Sequence, residues 1–387
     1  MGCPMPVELR PEELRLAARQ VLLGSASNCT PHDFVHELED RHGVYLFFEA
    51  FPFEHAILAQ VFYCTLFSLT ILFALLGNFT VMWIILRHRQ MRSVTNYYLL
   101  NLAIADASIS VFNTGFSWSY NFYYVWIFGN FYCRVNNLMG ITPICASVFT
   151  MIVMSIDRYW AIVHPLRRRP GKRATVSIIG GIWALAILCE LKFWVDVFYF
   201  YDGETLNENP LCLAQNFPDG KGDESLFGHI YNNGLIAVQY LLPLCVLSAA
   251  YYRVGVELRK DKCVGDVRHA KSIAAKRKAS FMLAVVVFIF IVVWLPYNAW
   301  YLTLHFLPAE KKILFLYIYI NIYWLGMSST VINPIIYYFM NRKFRVGFHY
   351  AFRWLPFVNS SRAEYVAILS QTRPSLLPPT TAHTTDF

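Results

Sequence analysis

The chain has 387 residues, of which 56% are hydrophobic and only 15% charged. Soluble domains carry about 25% charged residues, so this composition excludes a protein solvated on all sides. The formal net charge of +8 is spread unevenly along the chain. Its basic part follows membrane topology and lipid head groups, and no nucleic-acid partner is expected.

Residues 1–56 read as an extracellular N-terminal tail with nine acids against four arginines, and Asn28-Cys29-Thr30 forms a glycosylation sequon at Asn28. No basic stretch followed by an apolar one marks a cleaved leader. Residues 57–86, 135–156, 230–252, 279–309 and 313–341 then contain no Asp, Glu, Lys or Arg. Residues 93–121 contain only Asp106, and 174–195 only Glu190 and Lys192. About 20 helical residues cross the hydrocarbon, and lipid offers backbone groups no partners, so each block is expected to be one continuous helix. The predicted fold is an all-α membrane protein, a seven-transmembrane helix bundle over 57–341.

Loops 87–92, 158–173, 259–278 and 342–353 hold 3, 6, 8 and 4 Lys or Arg, against 0, 1 and 2 in 121–132, 196–230 and 308–312. Positive charge stays inside. The N-terminus is therefore expected outside the plasma membrane and the C-terminus in the cytoplasm. Past Asn341, RKFRVGFHYAFRW spaces Phe344, Phe348 and Phe352 four apart between basic residues. This predicts an amphipathic helix over 342–354 on the inner leaflet. Residues 355–387 read as a disordered tail, with nine Ser or Thr in 359–387 that suit phosphorylation.

Cys3, Cys29, Cys133 and Cys212 fall outside the cell, and four cysteines allow three connectivities. Cys133 opens the third span and Cys212 sits between spans four and five. A bond between these two, which would pin the loop over the bundle mouth, is the expected one in an oxidising compartment. No zinc spacing, P-loop, GxSxG or HExxH context occurs, so no enzyme is expected.

An ionisable group within a span is a functional candidate. Asp106 has Asn78, Ser147, Ser329 and Asn333 at matching depth on other spans. An ionised Asp106 with Ser147, Ser329 and Asn333 would hold a sodium ion; a protonated carboxyl hydrogen-bonded between helices is the alternative. No other cofactor is expected. Asp157-Arg158-Tyr159 ends the third span ahead of a basic loop with Pro165. Trp183 marks the fourth span, Pro243 the fifth, Trp294-Leu295-Pro296 the sixth and Asn333-Pro334-Ile335-Ile336-Tyr337 the seventh. Each proline removes a helical hydrogen bond and offers a hinge.

Together these motifs resemble the rhodopsin-like (class A) G-protein-coupled receptors over roughly 57–356. Within them MRSVTNYYLLNLAIADAS at 91–108, FGNFYCRVNN at 128–137 and WLGMSSTVINPIIYYFMNRKFRVGFHYAFRWLPF at 324–357 are similar to tachykinin (neurokinin-type) neuropeptide receptors. Luqin/RYamide and neuropeptide Y receptors are near relatives. The chain departs from the tachykinin pattern at Asp106, Gly140, Lys192 and Val293, and Trp354-Leu355 replaces a membrane-proximal cysteine pair.

The resemblance implies a receptor that passes agonist binding to a heterotrimeric G protein, of Gq type with calcium mobilisation. Arrestin and a receptor kinase would act at the Ser/Thr-rich tail. Met327 stands where retinal-binding members need a Lys, and Gly140 where amine receptors need an acid. A short, amidated, cationic neuropeptide is expected instead, steered by the acidic exterior. Likeness places Asn113, Asn137, Tyr297, Asn298, Tyr319 and Tyr323 at the ligand and gives Trp126 a structural role; Glu190, within a span near the outer face, would pair with a ligand Arg or with a neighbouring helix. A small-solute transporter is the reading from another class.

In several relatives the triplet arginine pairs with an acid on the sixth span, but 267–309 holds no Asp or Glu. Arg158 is therefore expected to be held by Asp157 and by Ser280. On activation the sixth span would swing about Pro296, with Tyr251 and Tyr337 filling the gap.

Overall fold

The computed structural model describes residues 3, 11–22, 29–42, 45–47, 55–164, 170–189, 195–202, 208–214, 216–217, 219–221, 225–260, 267–303 and 312–370. Seven long helices dominate them. The first span is Ile57–Arg87, the second Val94–Tyr123 and the third Gly129–Val163. The fourth is Lys172–Leu188, the fifth runs over 226–260, the sixth is Val267–Thr303 and the seventh Lys312–Met340. Six are long and apolar enough to cross a membrane. The fourth, with 17 residues, ends beside the undescribed 190–194.

Local sequence sets several helix ends. Ser93 accepts the Asn96 N–H, Ser225 the Gly228 N–H and Asn341 the Lys343 N–H, each pairing one amide that a helix start leaves without a partner. Wide π turns at Ser110–Thr114 and Ala237–Leu241 interrupt the second and fifth spans. Such turns re-aim the side chains beyond them. Pro143, Pro296 and Pro334 lie inside the third, sixth and seventh spans.

Buried amides tie the bundle together where lipid-like surroundings raise the cost of an unmet hydrogen bond. Asn78 donates to the carbonyls of Ala74 and Thr330, at 2.9 Å each, joining the first and seventh spans. Asn101 donates to Thr150 (2.7 Å) and accepts from the Trp183 indole (2.8 Å), joining the second, third and fourth. Gly77 faces the Pro334 ring so closely that a Cβ there would stand 2.8 Å from it. The first and seventh spans can approach this far because that position carries no side chain.

Outside the bundle the structure adds order that the pattern of the sequence did not suggest. Strands β1 (Tyr45–Phe47), β2 (Val195–Asp202) and β3 (Glu208–Ala214) form one sheet. β2 and β3 are an antiparallel hairpin that pairs Val197 with Cys212, and β1 runs parallel to β2 with Tyr45 opposite Phe200. Within 1–56, helices Pro11–Leu22 and Pro31–His42 bury Leu14, Ala18, Phe34 and Leu38 against each other. Cys3 is bonded to Cys29 across them.

The helix after the seventh span is Arg342–Ala351. Phe344 is fully buried against the bundle core, so the stripe expected on the leaflet faces protein at this point. Trp354 and Phe357 carry the exposed apolar surface instead. The tail expected to be disordered from 355 onward is folded as far as 370, with a helical turn at Arg362–Tyr365 and a wider one at Val366–Ser370. Its packing partners lie far away in sequence, so composition could not signal them.

Candidate functional site

A cavity of about 300 Å³ opens among the second, third, fifth, sixth and seventh spans beneath the hairpin. Its roof is held by Cys133 bonded to Cys212. Trp126, almost fully buried beside this bond, takes the Pro210 carbonyl with its backbone N–H (2.6 Å) and the Gly129 carbonyl with its indole (2.9 Å). Asp219 accepts from the Ser225 hydroxyl (2.5 Å) and the Phe227 N–H (2.7 Å) near the start of the fifth span. These bonds hold its exposed carboxyl below the usual carboxylate range.

Asn113, Asn137, Tyr297, Asn298, Tyr319 and Tyr323 all line the cavity. Glu190 and Asn28 lie outside the described residues. The lining holds no Asp, Glu, Lys or Arg among the described residues. On one wall Asn113 donates to Ser117 Oγ (2.9 Å) and to the carbonyl of Asn136 (2.9 Å), and its own oxygen accepts from the Tyr323 hydroxyl (3.3 Å), while Ile144, Phe290, Trp294 and Met327 close the cavity below. Asn136 donates in turn to Ser117 (3.0 Å). Gly140 gives this network room, since a Cβ there would meet Asn113 Nδ2 at 2.9 Å. The Asn137 and Asn298 side-chain amides donate to carbonyls of Cys133 and Trp294 one turn back on their own helices.

Sequence reasoning missed Asn136, Ser117 and Gln239. The signal was there for the first of these, because Asn136 adjoins Asn137 at the outer end of the third span. Which of the two faces Asn113 depends on helix rotation. Chemically, this wall of amides and phenols can exchange hydrogen bonds with neutral polar groups and stack against apolar side chains.

Below the floor a second cavity of about 20 Å³ is lined by Asp106, Ser147, Ser329 and Asn333. A void of this size holds one water-sized particle. Asn333 Nδ2 donates to Asp106 Oδ2 at 2.8 Å. Asn78, spent on backbone carbonyls, is not part of the lining. Trp294 lines both cavities, and its buried indole N–H has no partner among the described residues. The lining is mostly apolar, with side-chain oxygens only from Asp106, Ser147, Ser329, Thr330 and Asn333.

At the end of the bundle away from the hairpin Arg158 donates to Asp157 (2.9 Å) and to Thr95 at the start of the second span. The expected bond to Ser280 is not made. The Ser280 hydroxyl is buried and has no hydrogen-bond partner among the described residues. The acceptor comes from the second span because Thr95 lies within reach of the guanidinium. Tyr251 accepts from Ser155 (3.2 Å), and Tyr337 is fully buried against Phe344. The Tyr159 ring meets the ring of His164 edge-on.

Seven spans, a disulfide-roofed cavity open to one face and a third-span arginine at the other define a receptor architecture. Residues 77–337 match the 7 transmembrane receptor (rhodopsin family), and the chain belongs to that family. It is a receptor and not an enzyme, and the transporter reading falls. Over 307 residues the chain is 38% identical to the "Tachykinin-like peptides receptor 99D" of Drosophila melanogaster, covering 77% of this chain and 58% of that one. It is 36% identical over 310 residues to the "Substance-P receptor" of Aquarana catesbeiana, covering 79% and 73%. It is 37% identical over 298 residues to the "Neuromedin-K receptor" of Rattus norvegicus, covering 76% and 64%.

Proposed function

We infer that this chain is a plasma-membrane receptor, N-terminus outside, for a short amidated cationic neuropeptide of tachykinin type. The observation that carries the reading is the uncharged amide and phenol wall, in which Asn113, Asn136, Ser117 and Tyr323 form one hydrogen-bonded group. A carboxamide, a neutral donor and acceptor together, exchanges hydrogen bonds with such a surface. A free carboxylate or an ammonium would meet no opposite charge among the described lining residues. Segments 1–56 and 196–230 carry net charges of −5 (four Arg less nine acids) and −6 (one Lys less seven acids), which favours cationic residues on the ligand's outer part.

In this reading agonist binding is passed to a heterotrimeric G protein of Gq type. Trp294, Pro296, Asn333, Pro334 and Tyr337 link the cavity to Arg158, and arrestin and a receptor kinase act on the tail. Sodium at Asp106, Ser147, Ser329 and Asn333 favours the inactive state. The test is calcium release in cells expressing the chain, challenged with amidated neuropeptides and their free-acid forms. Amidated cationic peptides should act at concentrations at least about tenfold lower than the acids, a difference of about 1.4 kcal/mol. A response to monoamines or anionic ligands alone would refute the reading.

A further inference from the structure

Residues 361–370 fold back onto the bundle, apart from both the ligand cavity and the Asp157–Arg158 contacts. Ser361 Oγ accepts the Glu364 N–H, starting one turn of helix, and Glu364 accepts a hydrogen bond from Arg342 at 3.1 Å. The Tyr365 ring stacks on Tyr350 at 3.6 Å, with the Arg353 guanidinium also over the Tyr350 ring. Leu369 is 2% exposed and belongs to the same core as Met91 and Phe344. The turn carrying it touches both Arg89–Met91 and the helix Arg342–Ala351.

The contact at the centre of this dock has no slack. His88 is buried, and its Nδ1 lies 2.8 Å from the Ile84 carbonyl, which makes Nδ1 the protonated nitrogen. With a neutral ring Nε2 is the acceptor, and the Tyr365 hydroxyl donates to it at 2.6 Å. Stacking on Tyr350 fixes where that hydroxyl sits. A phosphorus with three further oxygens on the same atom would need space that the imidazole occupies. Docking at His88 and esterification of this hydroxyl exclude each other.

We propose that residues 361–370 are a cytoplasmic latch, and that Tyr365 is a phosphorylation site for a tyrosine kinase using ATP whose modification opens it. The site rests on the cytoplasmic orientation given above and on nothing about the ligand. The Tyr365 oxygen attacks the γ-phosphorus of ATP, forming an O–P bond and breaking the bond to the bridging oxygen. ADP leaves, and the hydroxyl proton passes to the kinase's catalytic base. The dock is short, so it opens transiently and the kinase acts on the open form. The phosphorylated segment cannot close again at His88. Arg87 and Arg353 act electrostatically on Tyr365 and would draw the phosphate to the rim, outside the slot. Release uncovers His88 and the faces of Arg89–Met91 and of the helix Arg342–Ala351 that the turn touches.

The test uses the purified full chain without peptide, incubated with a tyrosine kinase catalytic domain and ATP. Sites are located by mass spectrometry, and amide hydrogen exchange of 361–370 is followed. Phosphate is expected on Tyr365, with exchange about tenfold faster or more. Tyr365→Phe should show no kinase-dependent change. His88→Ala should speed both exchange and modification of Tyr365 without any pretreatment. Modified Tyr365 with unchanged exchange would overturn the proposal, as would a His88→Ala protein in which both rates match wild type. Because no peptide is present, a failed ligand assignment leaves this result untouched.

Discussion

Arg158 illustrates what a single residue's surroundings decide. Its hydrogen bonds go to Asp157 and Thr95, while Ser280 buries a hydroxyl that pairs with nothing among the described residues. A hydrogen bond to a charged group contributes about 1.5–3 kcal/mol, enough to bias a two-state equilibrium severalfold or more. Thr95→Ala should therefore raise ligand-independent calcium signalling severalfold at matched surface expression. Ser280→Ala should leave it unchanged, since no bond is removed. At the other end of the bundle, Asn113 joins three partners at once. Asn113→Ala takes a partner from the Tyr323 hydroxyl and from the Asn136 carbonyl, while Ser117 keeps Asn136, at a cost of about 1–3 kcal/mol. Peptide affinity should fall by roughly one to two orders of magnitude with the receptor still at the surface, as read by saturation binding.

At the scale of elements, the spans were legible because hydrocarbon enforces length and apolarity together. The hairpin was not. β2 and β3 pair through residues such as Phe198 and Leu211, but their alternation lies inside a loop that composition marks only as acidic. The N-terminal helices were hidden for a related reason. Six small or apolar residues, Leu14, Ala17, Ala18, Val21, Phe34 and Leu38, form their core, too few to lift a polar tail's average. A disulfide supplies what so small a core lacks: closing the Cys3–Cys29 loop, with a sequence separation of 26, contributes about 3.5 kcal/mol by chain entropy. Peptide mapping without reduction should recover Cys3 linked to Cys29 and Cys133 to Cys212. Alkylation of intact cells should label none of the four until a reductant is added. Labelling of Cys212 without reductant would contradict the roof described above.

Along the whole chain charge is separated by segment: 1–56 and 196–230 are acidic, 158–173 and 259–278 are basic, and the spans between are nearly uncharged. Ligand association should slow as salt rises from about 0.05 to 0.5 M, because screening shortens the reach of the acidic exterior. Within the core Asp106 is held by Asn333 across 227 residues of sequence. If sodium occupies the small cavity in the inactive state, agonist must weaken sodium as much as sodium weakens agonist. Replacing sodium by a bulky organic cation should raise agonist affinity in the wild type. Asp106→Asn should erase that difference, and an equal effect in both proteins would remove Asp106 from the coupling.

Two features follow from the chain without its tertiary structure: the seven spans and the few polar positions inside hydrocarbon. Each is enforced by the solvent, because lipid penalises every unmatched charge or backbone group wherever the helix packs. Other features depend on how helices rotate and approach. That Asn113 meets Asn136, that Thr95 takes Arg158 from Ser280, and that Leu369 buries beside Met91 are contacts between residues set apart in sequence. No periodicity encodes them. They arise only when close-packed side chains from several elements settle on one arrangement that fills the volume and pairs the buried polar atoms.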